Sequence, residues 1–390
     1  MDKTIYMDHG ATTPMSMKAF LAMRPFMVEE FGNPSSTYKI GGVAKDAITE
    51  ARKNVASLIH ADPSDIFFTS GGTEADNWAL IRMAEAMRNA GCGNHIITSQ
   101  IEHDAVLKTC KYLESVGFTV TYLPVNKEGL VDVDELEGAI TDNTILVSIM
   151  YQNNEIGTIE PIKAIGEVCN RHKIPFHTDA VQAVGHIPIN VKKLHIDLLS
   201  ASAHKFNGPK GVGFLYFNQG DVIGIKPYIL GGHQMDGFRA GTENVAAIVG
   251  LGEAAKLSAR YMRDNAKKCL ELRSYLGEKL LTIPDSHING VDIFDKSKSW
   301  LRSCNNINIS FDGIDSTHLQ QMLSESNVCV SVGSACRSYS PKPSHVLKAI
   351  GLSDAEAFST LRITLGYENT KEECDKVFNY IKTYVGLLRE

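Results

Sequence analysis

Five stretches of the chain that are typical of β-strands end at polar residues that could do chemistry. The residues that close or follow these stretches are Thr73, His103, Asn154 and Asp179, together with Ser202, His204 and Lys205 of the segment DLLSASAHK. In an open parallel sheet, ligands bind beyond the carboxyl ends of the strands, where such side chains meet. The pattern therefore predicts one pocket at one edge of a sheet.

Lys205 is the central residue of this predicted pocket. It follows an apolar strand and precedes the turn-rich segment FNGPKG. A lysine at the buried end of a strand can lose its proton and form a Schiff base with an aldehyde; the alternative is a surface lysine that reaches solvent. The turn SGGTE favours the first interpretation, because Gly72 and Thr73 lie where backbone N–H groups and a helix dipole attract a phosphate. Ser202 and His204 could add side-chain donors.

Asp179 and His103 complete a set of residues suited to one cofactor. Asp179 ends the strand IPFHTD, with Gln182 three residues later. The aspartate could hold a protonated pyridine nitrogen, or it could cap a helix that starts at DAVQ. His103 could cover an aromatic ring and shuttle protons, or it could start a helix or lie in the core. A Schiff-base lysine, a phosphate cradle and an aspartate are what pyridoxal 5'-phosphate needs.

Cys336 lies in a loop, SVGSACRSYSPKPSH, which is rich in serine, glycine and proline. The thiol is an idle surface group, a packing residue or a nucleophile on a mobile segment, and composition alone does not choose among these. The chain has eight cysteines but neither a C-x-x-C pair nor zinc-ligand spacing, so no metal site is predicted. Cys110 and Cys169 lie in helical patterns and are expected to be buried structural residues.

The elements that position these residues alternate between strands and helices from about residue 64 to 217. The predicted strands are DIFFTS, HIITS, TVTYLPV, TILVSIMY, IPFHTDA, DLLSASA and GVGFLYF. Strands separated by amphipathic helices imply βαβ units and a mostly parallel sheet. This alternation predicts an α/β fold, with a large cofactor-binding domain over residues 15–255.

After residue 250 the pattern changes to a smaller α+β domain. A long helix is predicted from Ala246 to Leu281, with a kink at Gly250 and Gly252, and the strand-like segments NNINISF, NVCVSV and LRITLGY follow. The first residues resemble an extended arm that packs on this part of the chain. The small domain is therefore predicted to comprise residues 1–14 and 256–390.

Charge and hydropathy exclude some classes of partner. The formal net charge is −6 and no block of like charge is longer than three residues, so neither nucleic acid nor an anionic membrane is expected as the main partner. The N-terminus has no apolar core of signal-peptide length, and no apolar run approaches the roughly 20 residues of a membrane span. A cytoplasmic protein is expected.

A series of motifs in fixed order resembles the cysteine desulfurases of the NifS/IscS type, which belong to the class-V aminotransferases. The motifs are ATTP, FGNPSS, TSGGTEADN, EH, NNEIG, DAVQ, SAHKFNGPKG, RAGTEN, GSAC and PSHVL, and they cover nearly the whole chain. The resemblance implies a homodimer with the aspartate-aminotransferase-like fold, in which a seven-stranded sheet carries pyridoxal phosphate.

The resemblance also implies a role for each site residue. Lys205 would form the Schiff base, His103 would stack on the cofactor ring, Asp179 would pair with its nitrogen and Gln182 would bind its phenolic oxygen. The phosphate would be held by Gly72, Thr73, Ser202 and His204, and by Thr242 of the partner subunit. Asn154 and Arg362 would hold the substrate carboxylate; for Arg362 the alternative is a salt-bridged strand arginine.

The implied reaction converts L-cysteine to L-alanine and leaves the sulfur on Cys336 as a persulfide. An acceptor protein of unknown identity would then take the sulfur for iron–sulfur assembly or thiolation. Two other hypotheses stay open: a selenocysteine lyase or another class-V lyase that uses the same cofactor, and a retired desulfurase that serves as a partner-binding subunit. Mobility of the loop and nearby cations would both help the Cys336 thiolate.

The chain departs from the family pattern at two places that bear on partners. After the loop cysteine the family usually has threonine or serine and later Leu-Glu-Pro, whereas this chain has Arg337 and Pro341-Lys342-Pro343. In GGHQMDGFRAGT, His233, Met235 and Asp236 replace the usual glycine, glutamate and arginine. These departures predict a dedicated paralogue with its own acceptor rather than a general sulfur donor.

Overall fold

The computed structural model describes residues 4–220, 224–332 and 342–390. Cys336, Arg337 and Pro341 lie outside the described residues. The strands are β1 (Ile5–Tyr6), β2 (Ile66–Thr69), β3 (His95–Ser99), β4 (Thr119–Leu123), β5 (Thr144–Ser148), β6 (Phe176–Asp179), β7 (Leu198–Ser202), β8 (Gly213–Phe217), β9 (Ser286–Ile288), β10 (Asn306–Phe311), β11 (Val328–Cys329) and β12 (Thr360–Thr364).

The helices alternate with the strands of the first sheet and separate those of the C-terminal part. They are α1 (Met17–Val28), α2 (Lys39–Ile59), α3 (Gly72–Asn89), α4 (Asp104–Ser115), α5 (Val133–Ala139), α6 (Ile162–His172), α7 (Val245–Leu280), α8 (Ser316–Glu325), α9 (His345–Ala349), α10 (Asp354–Phe358) and α11 (Lys371–Arg389). In the described part of the chain, none of them has the length and apolar character needed to cross a membrane.

The central sheet has seven strands in the order β2-β8-β7-β6-β5-β3-β4. Strand β8 is antiparallel to both of its neighbours, and the other pairs are parallel. The predicted mostly parallel seven-stranded sheet is confirmed. Because β2, β3, β5, β6 and β7 run in the same direction, their carboxyl ends lie along one edge of the sheet.

Burial explains why these strands have nearly continuous apolar sequences. All residues of β2, β3, β5, β6, β7 and β8 are buried, as expected for a sheet that is covered on both faces. The core at the β2 end includes Trp78 and the stacked rings of Phe67 and Phe217, whose centroids are 4.3 Å apart. Cys110 and Cys169 are also buried, and burial raises the pKa of each thiol to about 12, so both are packing residues.

The remaining strands form a second group near the C-terminus. Strands β12, β10 and β9 make an antiparallel sheet, and β1 pairs in parallel with β11, so the first residues pack on this part of the chain. A second buried apolar cluster lies here and includes Met7, Ile307, Ile363 and Val377. The division at residues 14/15 and 255/256 stays a prediction.

The predicted kink in the long helix is wrong, because α7 is one continuous helix through both glycines. A Cβ atom on Gly252 would lie 2.5 Å from the Cα atom of Ala51, and one on Gly250 would lie 2.5 Å from the sulfur of Met23. These glycines therefore allow α2 and α1 to pack closely against α7. Their role is packing rather than flexibility.

Candidate active site

The polar residues from the strand ends meet in one cleft with a volume of about 250 Å³. The predicted site residues that line it are Gly72, Thr73, His103, Asn154, Asp179, Gln182, Ser202, His204, Lys205 and Arg362. Gly10, Ala11, Asp76, Met150, Gln152 and Val181 also line it and were not predicted from the sequence. Thr242 is exposed and lies outside this cleft.

The turn between β2 and α3 has the geometry of a phosphate cradle. Gly71 has φ of +153°, a region that favours glycine, and a Cβ atom on it would lie 3.7 Å from the Ser202 hydroxyl. A Cβ atom on Gly72 would lie 2.5 Å from Cγ2 of Val181, so this glycine permits close packing. Thr73 is in the first turn of α3, where N–H groups and the helix dipole favour an anion. The cradle therefore fits a phosphate group.

Asp179 closes β6 and is almost fully buried. Its Oδ1 atom accepts a hydrogen bond of 2.9 Å from the N–H of Val181. The helix considered from the sequence is absent, because the residues after β6 form turns, so this bond stabilises a turn and does not cap a helix. Burial raises its pKa, while the nearby His103 and Lys205 lower it. A carboxylate in such a setting is suited to pair with a protonated ring nitrogen.

Asp76 on α3 is a second buried carboxyl group at this cleft. Burial and the neighbouring Asp179 and Glu102 raise its pKa well above the usual value, so Asp76 keeps a proton more readily than an ordinary aspartate. Its Oδ1 atom lies 3.6 Å from Nε2 of His177, a buried histidine whose pKa burial lowers to about 3. The sequence signal for Asp76 was an acidic residue on the buried face of α3, beside Ala75 and Ala79.

The imidazole ring of His177 is held by two serine hydroxyls. Nδ1 of His177 lies 2.8 Å from the hydroxyl oxygen of Ser148, and Nε2 lies 3.0 Å from that of Ser200. The three residues come from the adjacent strands β5, β6 and β7. Because the ring is neutral, fully buried and paired with both serines, it provides no positive charge that would favour an ionised Asp76.

Lys205 ends a short 3-10 turn directly after β7. Its Nζ atom donates hydrogen bonds to the carbonyl oxygens of Gly10, at 2.6 Å, and Ala11, at 2.9 Å. Its own carbonyl oxygen lies 2.8 Å from Nε2 of His186, a contact that fixes the backbone of the turn. The amine of this half-buried residue is thereby held at the cleft.

His103 is both the N-cap of α4 and a residue of the cleft wall. Its Nδ1 atom accepts a hydrogen bond of 3.1 Å from the N–H of Ala105, so in the neutral ring the proton is on Nε2. His204 lies 3.1 Å from the Thr12 hydroxyl through Nδ1, and burial together with Lys205 and Lys210 lowers its pKa to about 4. At neutral pH His204 is therefore an uncharged hydrogen-bonding group.

Arg362 of β12 is 1 % exposed and brings a positive charge to the opposite side of the cleft. Its Nη2 atom donates to Oδ1 of Asp8 at 2.8 Å, and Nη1 donates to the carbonyl oxygen of Asn154 at 3.1 Å. Its Nε atom is buried without a hydrogen-bond partner in the described part of the chain. The salt-bridged alternative is thus present, and donors still remain for a ligand carboxylate.

The segment with the unusual residues His233, Met235 and Asp236 forms a tight turn, Gln234–Gly237. Met235 and Asp236 both have left-handed backbone conformations, with φ of 49° and 57°. Side chains other than glycine, asparagine and aspartate seldom adopt this region, so Met235 is held there by burial. The turn is not part of the cleft within one chain.

Comparisons with known proteins agree with this geometry. The family model described as aminotransferase class-V matches residues 5–377. The chain is 50 % identical over 388 residues to "Cysteine desulfurase IscS" of Methanosarcina thermophila, which covers 100 % of this chain and 93 % of that protein. It is 49 % identical to the protein of the same description from Clostridium botulinum, with 100 % and 96 % covered.

Solved structures show the same likeness. A structure titled "NIFS-LIKE PROTEIN" has a TM-score of 0.90 and 38 % identity, and the match covers 99 % of this chain and 100 % of that one. A second structure, titled "SspA in complex with cysteine", has a TM-score of 0.80 and 37 % identity, with 94 % and 100 % covered.

Proposed function

The chain belongs to the class-V aminotransferase family, and we propose that it acts there as an L-cysteine desulfurase in which Lys205 and Cys336 are the two reacting groups. It is a pyridoxal-phosphate-dependent enzyme that converts L-cysteine to L-alanine. Relatives at about 50 % identity over the full chain carry this description, and a similar structure was solved with cysteine. The observation that carries the proposal is that Lys205, Asp179 and Arg362 line one cleft.

The residues of the cleft fit the cofactor. Asp179 would pair with the ring nitrogen, Lys205 would attach the cofactor, His103 would cover the ring and Gln182 would bind its phenolic oxygen. The phosphate would lie at Gly72, Thr73, Ser202 and His204. When bound, pyridoxal phosphate supplies an electron-poor ring that takes up the electrons left when a proton leaves Cα of the amino acid.

The protein residues perform the remaining steps. Arg362 and Asn154 bind the substrate carboxylate and thereby orient its Cα and sulfur atoms. The amine of Lys205 takes the proton from Cα, and His103, with its proton on Nε2, is placed to move protons beside the ring. The thiolate of Cys336 attacks the substrate sulfur, and the bond between that sulfur and Cβ breaks. The carbon keeps the electron pair and takes a proton to give alanine, and Cys336 becomes a persulfide.

A homodimer and an acceptor protein are further parts of the proposal. The surface of α1 and the segment after it exposes a set of large apolar side chains that includes Met17, Leu21, Met27, Val28 and Phe31. Exposed patches of this kind mark interaction sites, and a second copy of the chain would cover this one. The partner subunit would then supply Thr242 to the phosphate.

The acceptor that removes the sulfur from Cys336 has no assigned identity. Lys342 is exposed, and together with Arg337 it gives the loop a basic character that we propose selects an acidic acceptor surface. The cytoplasmic location, the role in iron–sulfur assembly or thiolation and the domain limits of residues 15–255, with 1–14 and 256–390, belong to the same proposal.

The test measures alanine and sulfide from L-cysteine in the presence of a reductant. Wild-type protein is expected to form both, and Cys336→Ala is expected to lose the activity while it keeps the absorbance band of the bound cofactor. Cys92→Ala, which removes an exposed thiol, is the matched control and should behave as wild type. Lys205→Ala should lose the absorbance band. Failure of the wild-type protein to form alanine and sulfide would refute the proposal.

A further inference from the structure

We infer that Asp8 is the positioning residue for Arg362 and thereby sets the affinity of the enzyme for amino acid substrates through their α-carboxylate. This inference rests on the proposed function. Asp8 opens a short segment, residues 8–13, which makes a turn directly after Asp8 and which we call the N-terminal arm. The arm is distant in sequence from the strand ends that form the cleft, and it contacts several of their side chains.

The N-terminal arm forms one wall of the active site. The carbonyl oxygen of Gly10 accepts from Nζ of Lys205 and also, at 2.9 Å, from Nε2 of Gln182. Further along the arm, Thr13 donates through its backbone N–H and its hydroxyl to the carbonyl oxygen of His204. Residues from the cofactor side of the cleft therefore depend on the position of the arm.

Asp8 connects the arm to the substrate side of the cleft. Its Oδ1 atom accepts from Nη2 of Arg362 at 2.8 Å, and its Oδ2 atom accepts from the Ser331 hydroxyl at 2.8 Å. Arg362 is 1 % exposed, and a buried guanidinium is costly unless it is paired. In the described part of the chain, the carboxylate that pairs with Arg362 is that of Asp8.

The backbone of the arm is fixed at the level of Asp8. Thr364 donates its N–H to the carbonyl of Met7 and accepts from the N–H of His9, and its hydroxyl accepts from the N–H of Gly10 at 2.7 Å. A Cβ atom on Gly10 would lie 3.2 Å from Thr364 and 3.5 Å from Cζ of Arg362. A larger residue at this position would therefore be in tight contact with Thr364 beside the guanidinium.

This arrangement orients Arg362 and leaves donors free for substrate. Asp8 and the carbonyl of Asn154 each occupy one Nη atom, so the plane of the guanidinium is held before substrate arrives. An arginine N–H fork that is oriented in advance binds a carboxylate in two-point geometry at a lower entropic cost. Without Asp8, the long arginine side chain would have to be ordered by the substrate.

The test compares Asp8→Ala, Arg362→Ala and the double variant with wild-type holoenzyme. Binding of L-alanine is measured by calorimetry, and KM and kcat are measured for L-cysteine. Loss of a hydrogen bond to a charged group predicts that Asp8→Ala weakens L-alanine binding and raises KM by about 10- to 100-fold, with a much smaller change in kcat. The loss in the double variant should not exceed that in Arg362→Ala, because the two residues act as a unit.

Two controls separate this inference from general damage and from the proposed function. Asp375→Ala removes the partner of Lys279 in an ion pair away from the cleft and should leave KM and L-alanine binding unchanged. Cysteamine lacks the carboxylate, so its binding should be equal in Asp8→Ala and wild type. Unchanged L-alanine binding in Asp8→Ala, or an equal loss for cysteamine, would overturn the inference. A wild-type protein without desulfurase activity would instead overturn the proposed function.

Discussion

At the scale of single residues, the cleft contains two buried carboxyl groups whose pKa values are both raised, that of Asp76 more strongly. Asp179 is near the positive charge of Lys205, whereas Asp76 is near Asp179 and a neutral histidine. The same physical rule explains both: burial favours the neutral acid, and only a nearby cation offsets that effect. Asp179 is therefore the more readily ionised group of the pair, and Asp76 is the group that more readily keeps a proton.

This difference predicts that the same substitution, aspartate to asparagine, has a small effect at residue 76 and a large effect at residue 179. Asp76→Asn replaces a protonated acid by a neutral group of the same shape, so the affinity of the apoenzyme for pyridoxal phosphate should change by less than about threefold. Asp179→Asn removes the charge that we propose pairs with the ring nitrogen, and it should weaken binding by about 10- to 100-fold. A spectroscopic titration of apoenzyme with cofactor measures both. Equal losses in the two variants would contradict the assignment.

The raised pKa of Asp76 also predicts how the stability of the apoenzyme depends on pH. Between the ordinary carboxyl pKa of 3.8 and the raised value, the folded protein holds a proton that the unfolded chain has released. The free energy of unfolding therefore falls as pH rises through this range. Asp76→Asn removes this contribution, so its stability relative to wild type should be higher at about pH 8 than at about pH 5 in denaturant unfolding. A pH-independent difference would show that Asp76 is ionised in the folded protein.

At the scale of secondary structure elements, close helix packing depends on the glycines of α7. Ala is a better helix former than Gly, so a substitution in an open position should stabilise a helix. At Gly252 the added Cβ atom would meet the backbone of α2, which cannot move aside easily. The position of the glycine therefore decides whether its replacement by alanine stabilises or destabilises the protein.

A matched pair of glycine substitutions tests this explanation. Gly252→Ala should lower the free energy of unfolding by about 1–3 kcal/mol, the usual cost of overpacking. Gly386→Ala lies in α11 with no atom within 4 Å of the added Cβ, and it should raise the free energy of unfolding by about 0.5–1 kcal/mol. Denaturant unfolding measures both changes. Stabilisation by Gly252→Ala would mean that α7 bends there and does not pack tightly.

At the scale of the whole molecule, the exposed apolar surface of α1 is where we propose that a second copy binds. Leu21 on α1 and Leu387 on α11 are both 54 % exposed, and this equality makes them a matched pair for a test. Leu21→Glu should raise the dissociation constant of the dimer by roughly tenfold or more, because a carboxylate would be buried without a partner. Leu387→Glu should have no effect. Light scattering at several protein concentrations gives the dissociation constants, and a Leu21→Glu protein that stays dimeric would show that the interface lies elsewhere.

The sequence by itself determined which strands form the central sheet, and which residues at their ends line most of the cleft. Each predicted strand of the central sheet is present to within about three residues, and Lys205, Asp179, His103 and Thr73 meet because parallel strands end at one edge. These features depend on local apolar patterns and on one topological rule. The motifs that follow the strands were therefore sufficient to predict a pyridoxal phosphate site.

Only the tertiary structure decided which distant residues support that site. Asp8 contacts Arg362, 354 residues away, and Gly10 contacts Lys205, 195 residues away, yet neither belongs to a periodic pattern that would reveal the contact. The close approach of α7 to α2 and the raised pKa of Asp76 likewise depend on what packs against each residue. A sequence pattern encodes the period of an element, whereas burial, charge pairing and close approach arise only when separate elements come together.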